Sequence, residues 1–299
     1  MEGRKIVPGS PFSIADRVFK DNGKWPKTRC FRTFPTTWTG RRDDGSATVV
    51  LRKCLCDIRF ALESAMPVPR ALFKSVSRLN LSRPPVAVAF LATPPAGLPR
   101  VDHPQPAGCG YWKHASEGHA FYTTPQDHEN CTVGAFTHGV TLSPEKGKEL
   151  ESLIGTMVQL KYLRMEEVPG IPHRPAPMEV VAYAPLADAT FDPDAVIFRG
   201  NAKQVMLVSE AARAAGVFES AAAMGRPACA MIPQATSSAA GVASVGCIGN
   251  RVYTELGDDE LYFAVPGPAL PRVLEQLDVM LDANAALETF HRERAAALR

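Results

Sequence analysis

The 299-residue chain has no apolar run near the ~20 residues that a membrane span needs; its longest is the short stretch from Pro85 to Ala92. Its opening residues lack a signal-type hydrophobic region, because Pro, Arg, Lys and Asp interrupt every apolar stretch. Charge of neither sign dominates: 33 Lys and Arg against 31 Asp and Glu leave a net of +2. That is too weak a field to recruit nucleic acid or an anionic membrane. G-x-G-x-x-G, Walker, G-x-S-x-G and H-E-x-x-H patterns are also missing, which removes the main supports for nucleotide, serine-hydrolase and zincin chemistry. Seven cysteines are an odd number in a chain without an export signal. They argue against a disulfide framework and for reduced thiols or metal ligands. The expectation is a cytoplasmic protein that meets a small-molecule substrate or ligand, with no nucleic acid and no membrane as partner.

What is present falls into two regimes. Residues 1–65 hold 13 Lys and Arg against 7 Asp and Glu, a net of +6. They are full of turn clusters (VPGSPF, KDNGKWPKTR, FPTTWTGRRDDGS) without helical or alternating periodicity, and they carry Cys30, Cys54 and Cys56. This segment reads as a poorly ordered basic N-terminal extension. Its Cys54-Leu55-Cys56 has one residue too few for the usual metal hairpin.

From Met66 the texture changes, and residues 66–299 read as one main domain. PPVAVAFLA (84–92), MEVVAYA (178–184) and AVIF (195–198) have buried-strand patterns. Ser143-Pro144-Glu145 opens a helix with Leu150, Leu153, Ile154, Met157 and Val158 on one face, stopping before Pro169-Gly170. Asn201 opens another that Gly216 ends, and a third starts near Leu270. RVYTEL (251–256) and ELYFAV (260–265) around Gly257-Asp258-Asp259 predict a hairpin. Interleaved strands and helices predict an α/β (or α+β) domain with a mixed sheet. A faint echo between the stretches that begin at VAVAFL and at EVVAYA suggests pseudo-duplication, with a site between the halves.

Five of the seven histidines (His103, His114, His119, His128, His138) lie between residues 103 and 138, together with Cys109 and Cys131. Histidine and cysteine are the side chains that offer borderline or soft electron pairs near neutral pH. Cys109 sits in Gly108-Cys109-Gly110, Cys247 in Gly246-Cys247-Ile248-Gly249, Cys131 after Asp127-His128-Glu129-Asn130, and Cys229 after Arg226-Pro227-Ala228. All four adjoin turn residues, where a loop can wrap a metal. The expected metal or cofactor ligands are therefore Cys109, Cys131, Cys229 and Cys247, with His114 as a further metal ligand. The expected group is an iron–sulfur cluster, with zinc or haem as alternatives. His114, His128 and His138 would supply the surrounding donors or carry protons. Cys131, His128, His138 and Arg251 are the candidate catalytic residues. Arg226 and Arg251 could pair with an anionic ligand, and Tyr111-Trp112-Lys113 could form an aromatic wall with one charge. Cys131, at the possible start of a helix TVGAF, could instead be a nucleophile activated by a neighbouring histidine. Plain core packing remains open for Cys131 and Cys229.

PPVAVAFL, CGYWKHASEGHAFYTTPQDHENCTVGAFTHG, RPACAMIPQA and GCIGNRVYTEL resemble the uncharacterised ArCR family, number 169 among domains of unknown function. The resemblance covers about residues 70–285 and leaves out the basic extension. It implies that the cysteine-bearing blocks recur in that family, and it names no activity. The expected function is metal- or thiol-dependent redox or lyase chemistry on a small molecule at a cysteine-rich site. The alternatives are a non-catalytic module that binds or senses a metal, haem or small ligand, and a cysteine-nucleophile enzyme.

Overall fold

Two prolines deliver the chain into VAVAFL, where valine alternates with alanine. These residues form strand β1 (Val86–Leu91); branched valine suits the pleat, and alanine lets a covering element come close. The computed structural model describes residues 73–217, 223–224 and 227–297. The basic extension expected over residues 1–65, with Cys30, Cys54 and Cys56, lies outside the described residues, as does Arg226.

Helix α1 (Phe73–Arg78) precedes β1. Then follow α2 (Gly110–Ser116), β2 (Phe121–Thr123), α3 (Thr132–His138), α4 (Pro144–Gln159) and β3 (Val180–Pro185). The second half runs β4 (Ala195–Asn201), α5 (Ala202–Ala214), β5 (Ala223–Met224), α6 (Met231–Ser238), β6 (Val242–Ser244), α7 (Ile248–Thr254), β7 (Glu260–Pro266) and α8 (Leu270–Ala297). The strands form a seven-stranded sheet in the order β2-β3-β1-β4-β7-β6-β5. Neighbours are antiparallel except β5 and β6, so the sheet is mixed and the fold is α/β in the broad sense.

Strand side chains alternate between two cores. On one face Val86, Val88, Val181, Tyr183, Ile197 and Tyr262 pack with Cys109, Tyr111, Trp112, Cys229 and Met231. On the other, Ala87, Val196, Phe198, Phe263 and Val265 pack with Val205 and Val208 of α5 and Leu270, Leu274 and Leu277 of α8.

The strand register reveals an internal two-fold. Strands β1 and β4 pair as Val86↔Ile197, Ala87↔Val196 and Val88↔Ala195. Exchanging Val86 with Ala195 and Val88 with Ile197 returns the same pairing, so a dyad passes through the Ala87–Val196 pair. It holds further out. Val86 faces Pro185 of β3 as Ala195 faces Pro266 of β7, and Thr123 of β2 faces Val181 as Ser244 of β6 faces Tyr262. Each half therefore shares the order strand, short helix, strand, short helix, strand, with α4 added before β3 in the first half and α5 with β5 added after β4 in the second. The two repeats begin at β1 and β4, whereas the sequence echo had set EVVAYA, which is β3, as the start of the second.

Caps set the helix limits. The Ser143 hydroxyl accepts the Lys146 N–H at 3.2 Å, and Asn201 with Gln204 makes a reciprocal capping box. Helix α4 ends at Gln159, just past its apolar stripe and well before the stop expected at Pro169-Gly170, and a 3₁₀ helix occupies Met165–Gly170. The expected hairpin at 251–265 has only its second strand. Residues Ile248–Thr254 form α7, closed by Glu255 at φ 53° and by the Thr254 hydroxyl donating to the Asn250 carbonyl at 2.7 Å. Alternating Val, Tyr and Thr suited a strand, but these local closures and the packing of Thr254 and Asn250 in the core override that propensity. Among the described residues no helix is long and apolar enough to cross a membrane.

Two glycines make opposite predictions. A Cβ on Gly267, just after β7, would lie 1.5 Å from the Pro193 carbonyl oxygen. Gly267→Ala should therefore destabilise by about 3 kcal/mol in urea unfolding, since backbone must shift. A Cβ on Gly147 in α4 meets nothing within 4 Å, and Gly147→Ala should stabilise by about 0.5–1 kcal/mol. Equal effects would contradict the close approach at Gly267.

Candidate functional site

The turn residues beside the four cysteines place each of them at or just before the start of a helix. Cys109 is the residue before α2, Cys131 the residue before α3 and Cys247 the residue before α7. Cys229 lies in the 3₁₀ turn Ala228–Ala230 that runs into α6. The dyad relates them in pairs, Cys109 with Cys229 and Cys131 with Cys247. Helix contacts follow the same symmetry: α2 packs on α7, and α3 packs on the turn that holds Cys229. Burial follows it too. Cys109 and Cys229 are buried and Cys131 and Cys247 half-buried, all as free thiols.

Four positions spread over 139 residues of sequence therefore converge. Burial pushes the Cys109 thiol up to about 12, opposed by the Asn250 side chain and assisted by Cys131 and Cys247. Burial also drives the Cys229 thiol well above its ordinary value, with Cys131, Cys109 and Cys247 adding to the rise and Thr137 opposing it. Each buried thiol thus lies within the electrostatic reach of the other three. Among the described residues, however, no three His, Cys, Asp or Glu side chains are placed to hold one metal ion.

Close backbone approach makes room for this. The Cys131 sulfur accepts the Gly134 N–H at 3.3 Å, and a Cβ on Gly134 would sit 3.0 Å from that sulfur. Gly108 lies against Gly134, its own absent Cβ 3.7 Å from the Gly134 Cα and from His128 Nδ1.

Two histidines back the thiols. The Thr123 hydroxyl donates its one hydrogen to the Val181 carbonyl at 3.2 Å, so it accepts from His128 Nε2 at 2.9 Å. His138 Nδ1 lies 3.0 Å from the Gly134 carbonyl, which can only accept. Both protons are assigned by these partners, which leaves His128 Nδ1 and His138 Nε2 as bare lone pairs. The rings are fully buried with centroids 5.5 Å apart. Burial and the neighbouring His138 push His128 down to about 3, against the pull of Asp127. Burial pushes His138 down to about 4, with Arg174 adding to it and the Gly134 carbonyl opposing.

A further set of buried polar atoms has no hydrogen-bond partner: Trp112 Nε1, the Tyr183 hydroxyl and both ends of the Asn250 amide, alongside His128 Nδ1 and His138 Nε2. Asn250 adjoins the Cys109 thiol and the Tyr262 hydroxyl closely enough to hold down the pKa of both, without good hydrogen-bond geometry to either. Tyr183 stacks on Tyr111 at 5.7 Å and lies in the field of Cys229 and Cys109. All these residues line the thiol-bearing side of the sheet.

Other expected site residues are placed elsewhere. His114 stacks on His119 at 4.1 Å and adjoins Phe121, Glu117 and Asp102, away from the thiols' fields. The Arg251 guanidinium donates to the Val245 and Gly257 carbonyls and pairs with Asp258, so it braces the loops flanking α7. Tyr111 and Trp112 are core residues, and Lys113 leaves them to bond Glu255 at 2.7 Å. Sequence reasoning missed Asn250, Tyr183 and Thr137. The one signal for Asn250 was its place three residues after Cys247, matching Gly134 after Cys131.

The fold and its site define an α/β protein built on an internal dyad, with four thiols from four loops gathered beside two buried histidines. Residues 76–276 match the model of the uncharacterised ArCR family, and the chain belongs to that family. No curated protein and no solved structure matches the chain.

Proposed function

We propose that Cys109, Cys131, Cys229 and Cys247 hold an iron–sulfur cluster with which the protein carries out redox or lyase chemistry on a small molecule. The observation that carries this reading is the dyad-related convergence of the four thiols. A single tetrahedral ion such as zinc needs its sulfurs about 3.8 Å apart, given bonds of about 2.3 Å. The four thiols share one electrostatic neighbourhood without meeting that arrangement. A cluster spreads its thiolates over several irons, so its ligands need not meet at a single ion.

The unpartnered donors support the same reading. Trp112 Nε1–H, the Tyr183 hydroxyl and the Asn250 amide are buried without acceptors, at a cost of about 1–3 kcal/mol each. Cluster sulfur would accept from them, and such bonds tune a cluster's potential. Cys131 and Cys247, the half-buried pair, mark the side from which a substrate would approach. His128 and His138 would serve there as acceptors through their bare nitrogens.

Anaerobic reconstitution with ferrous iron and sulfide tests this. Iron and acid-labile sulfide should bind in similar amounts with broad absorbance near about 400 nm, an expectation from cluster chemistry. Each of Cys109→Ser, Cys131→Ser, Cys229→Ser and Cys247→Ser should lose at least half of the iron, whereas Cys56→Ser should keep it. Full iron content in all four variants would sink the proposal.

A further inference from the structure

The dyad pairs α3 with α7, yet among the described residues only α3 is covered. Helix α4 packs on α3, where Thr132 and Thr137 are buried and Phe136 lies 4.8 Å from the His173 ring. On α7 the corresponding outer side is open: Ile248 is 66% exposed, Val252 68% and Tyr253 45%, with Val245 beside them at 42%. Ile248 and Val252, four residues apart, share one helix face.

A second apolar set is open on the last turns of α8. That helix stays against the protein as far as Glu288, which pairs with Lys203 of α5 at 2.7 Å, while Leu287 and Phe290 are more than half exposed. The two sets also match in charge. In the turn after α7 Asp258 and Asp259 are exposed, while Glu255 and Glu260 are paired with Lys113 and Arg199; on the last turns of α8 Arg292, beside Glu288, and Arg294 are exposed.

We infer that two copies of the chain associate, the α8 end of each lying across α7 of the other in the place that α4 takes on α3. Leu287 and Phe290 cover Ile248 and Val252, and Arg292 and Arg294 face the acidic turn after α7. The association needs no metal, so it stands or falls separately from the cluster.

Sedimentation of the full chain from nanomolar to tens of micromolar should show a dimer. Val252→Glu and Phe290→Glu should each weaken it by about 10-fold or more, with unchanged circular dichroism because both positions are exposed. Mixing the two variants should restore a heterodimer, since one of its two contacts is intact. Arg292→Glu with Arg294→Glu should also weaken association, and a copy carrying Asp258→Lys and Asp259→Lys should rescue it; this pair tests the contact without touching the apolar residues. A monomer at every concentration, a dimer indifferent to either surface, or failure of both mixtures would overturn the inference.

Discussion

Taking the metal-free protein from pH 7 to pH 5 should lower its unfolding free energy by about 4 kcal/mol through two histidines alone. His128 and His138 fold with pKa values pushed down to about 3 and about 4 from the ordinary 6.5. Above 6.5 both rings are neutral whether folded or not, and their contribution is fully present. Below 6.5 the unfolded chain takes up protons that the folded one refuses. Stability then falls by about 1.4 kcal/mol per pH unit for each ring until the folded values are reached. The cause is burial without a partner: each imidazolium would sit in the core with an unsatisfied N–H. Urea unfolding at pH 7, 6 and 5 checks it. His138→Gln should halve the slope with pH, whatever it does to stability at pH 7. A flat profile between pH 7 and 5 would show that water or another acceptor reaches these nitrogens.

Metal retention at the four thiols should strengthen by about 100-fold or more for each pH unit between pH 6.5 and 8, because at least two protons must leave. The Cys109 thiol is pushed up to about 12 and that of Cys229 well above its ordinary value, so both are protonated throughout this range. Binding as thiolate expels both protons, and each contributes a factor of ten per pH unit. Competition against a chelator of known proton affinity measures the slope. A tenfold change or less per unit would mean that one or neither buried thiol is a ligand. A single-cysteine nucleophile would show no such dependence at all.

Much of the fold was legible in short stretches. Ser143-Pro144, Asn201 with Gln204, and Gly216 mark helix limits through contacts between residues a few positions apart, and the structure has them there. VAVAFL and the strand at 195–201 were legible because short β-branched runs entered from a proline or turn have few other uses. RVYTEL was misread because its alternation fits a strand, while Glu255 in the left-handed region and core packing of Asn250 and Thr254 make it helical. The histidine and cysteine richness of residues 103–138 was plain, but it drew in His114, whose ring is occupied by His119 and Phe121. Asn250 and Tyr183 were invisible, because an unpartnered polar atom is a property of its three-dimensional surroundings.

By itself the sequence determined the type of the longer elements, the absence of a disulfide framework among the four described cysteines and the turn residues beside them. All of these follow from composition and from interactions within a few residues. Only the tertiary structure decided that the repeats start at β1 and β4, that Cys109 pairs by symmetry with Cys229 and Cys131 with Cys247, and that one of two equivalent helices is left bare among the described residues. Those outcomes depend on strand order and register, which are set by packing between segments a hundred or more residues apart.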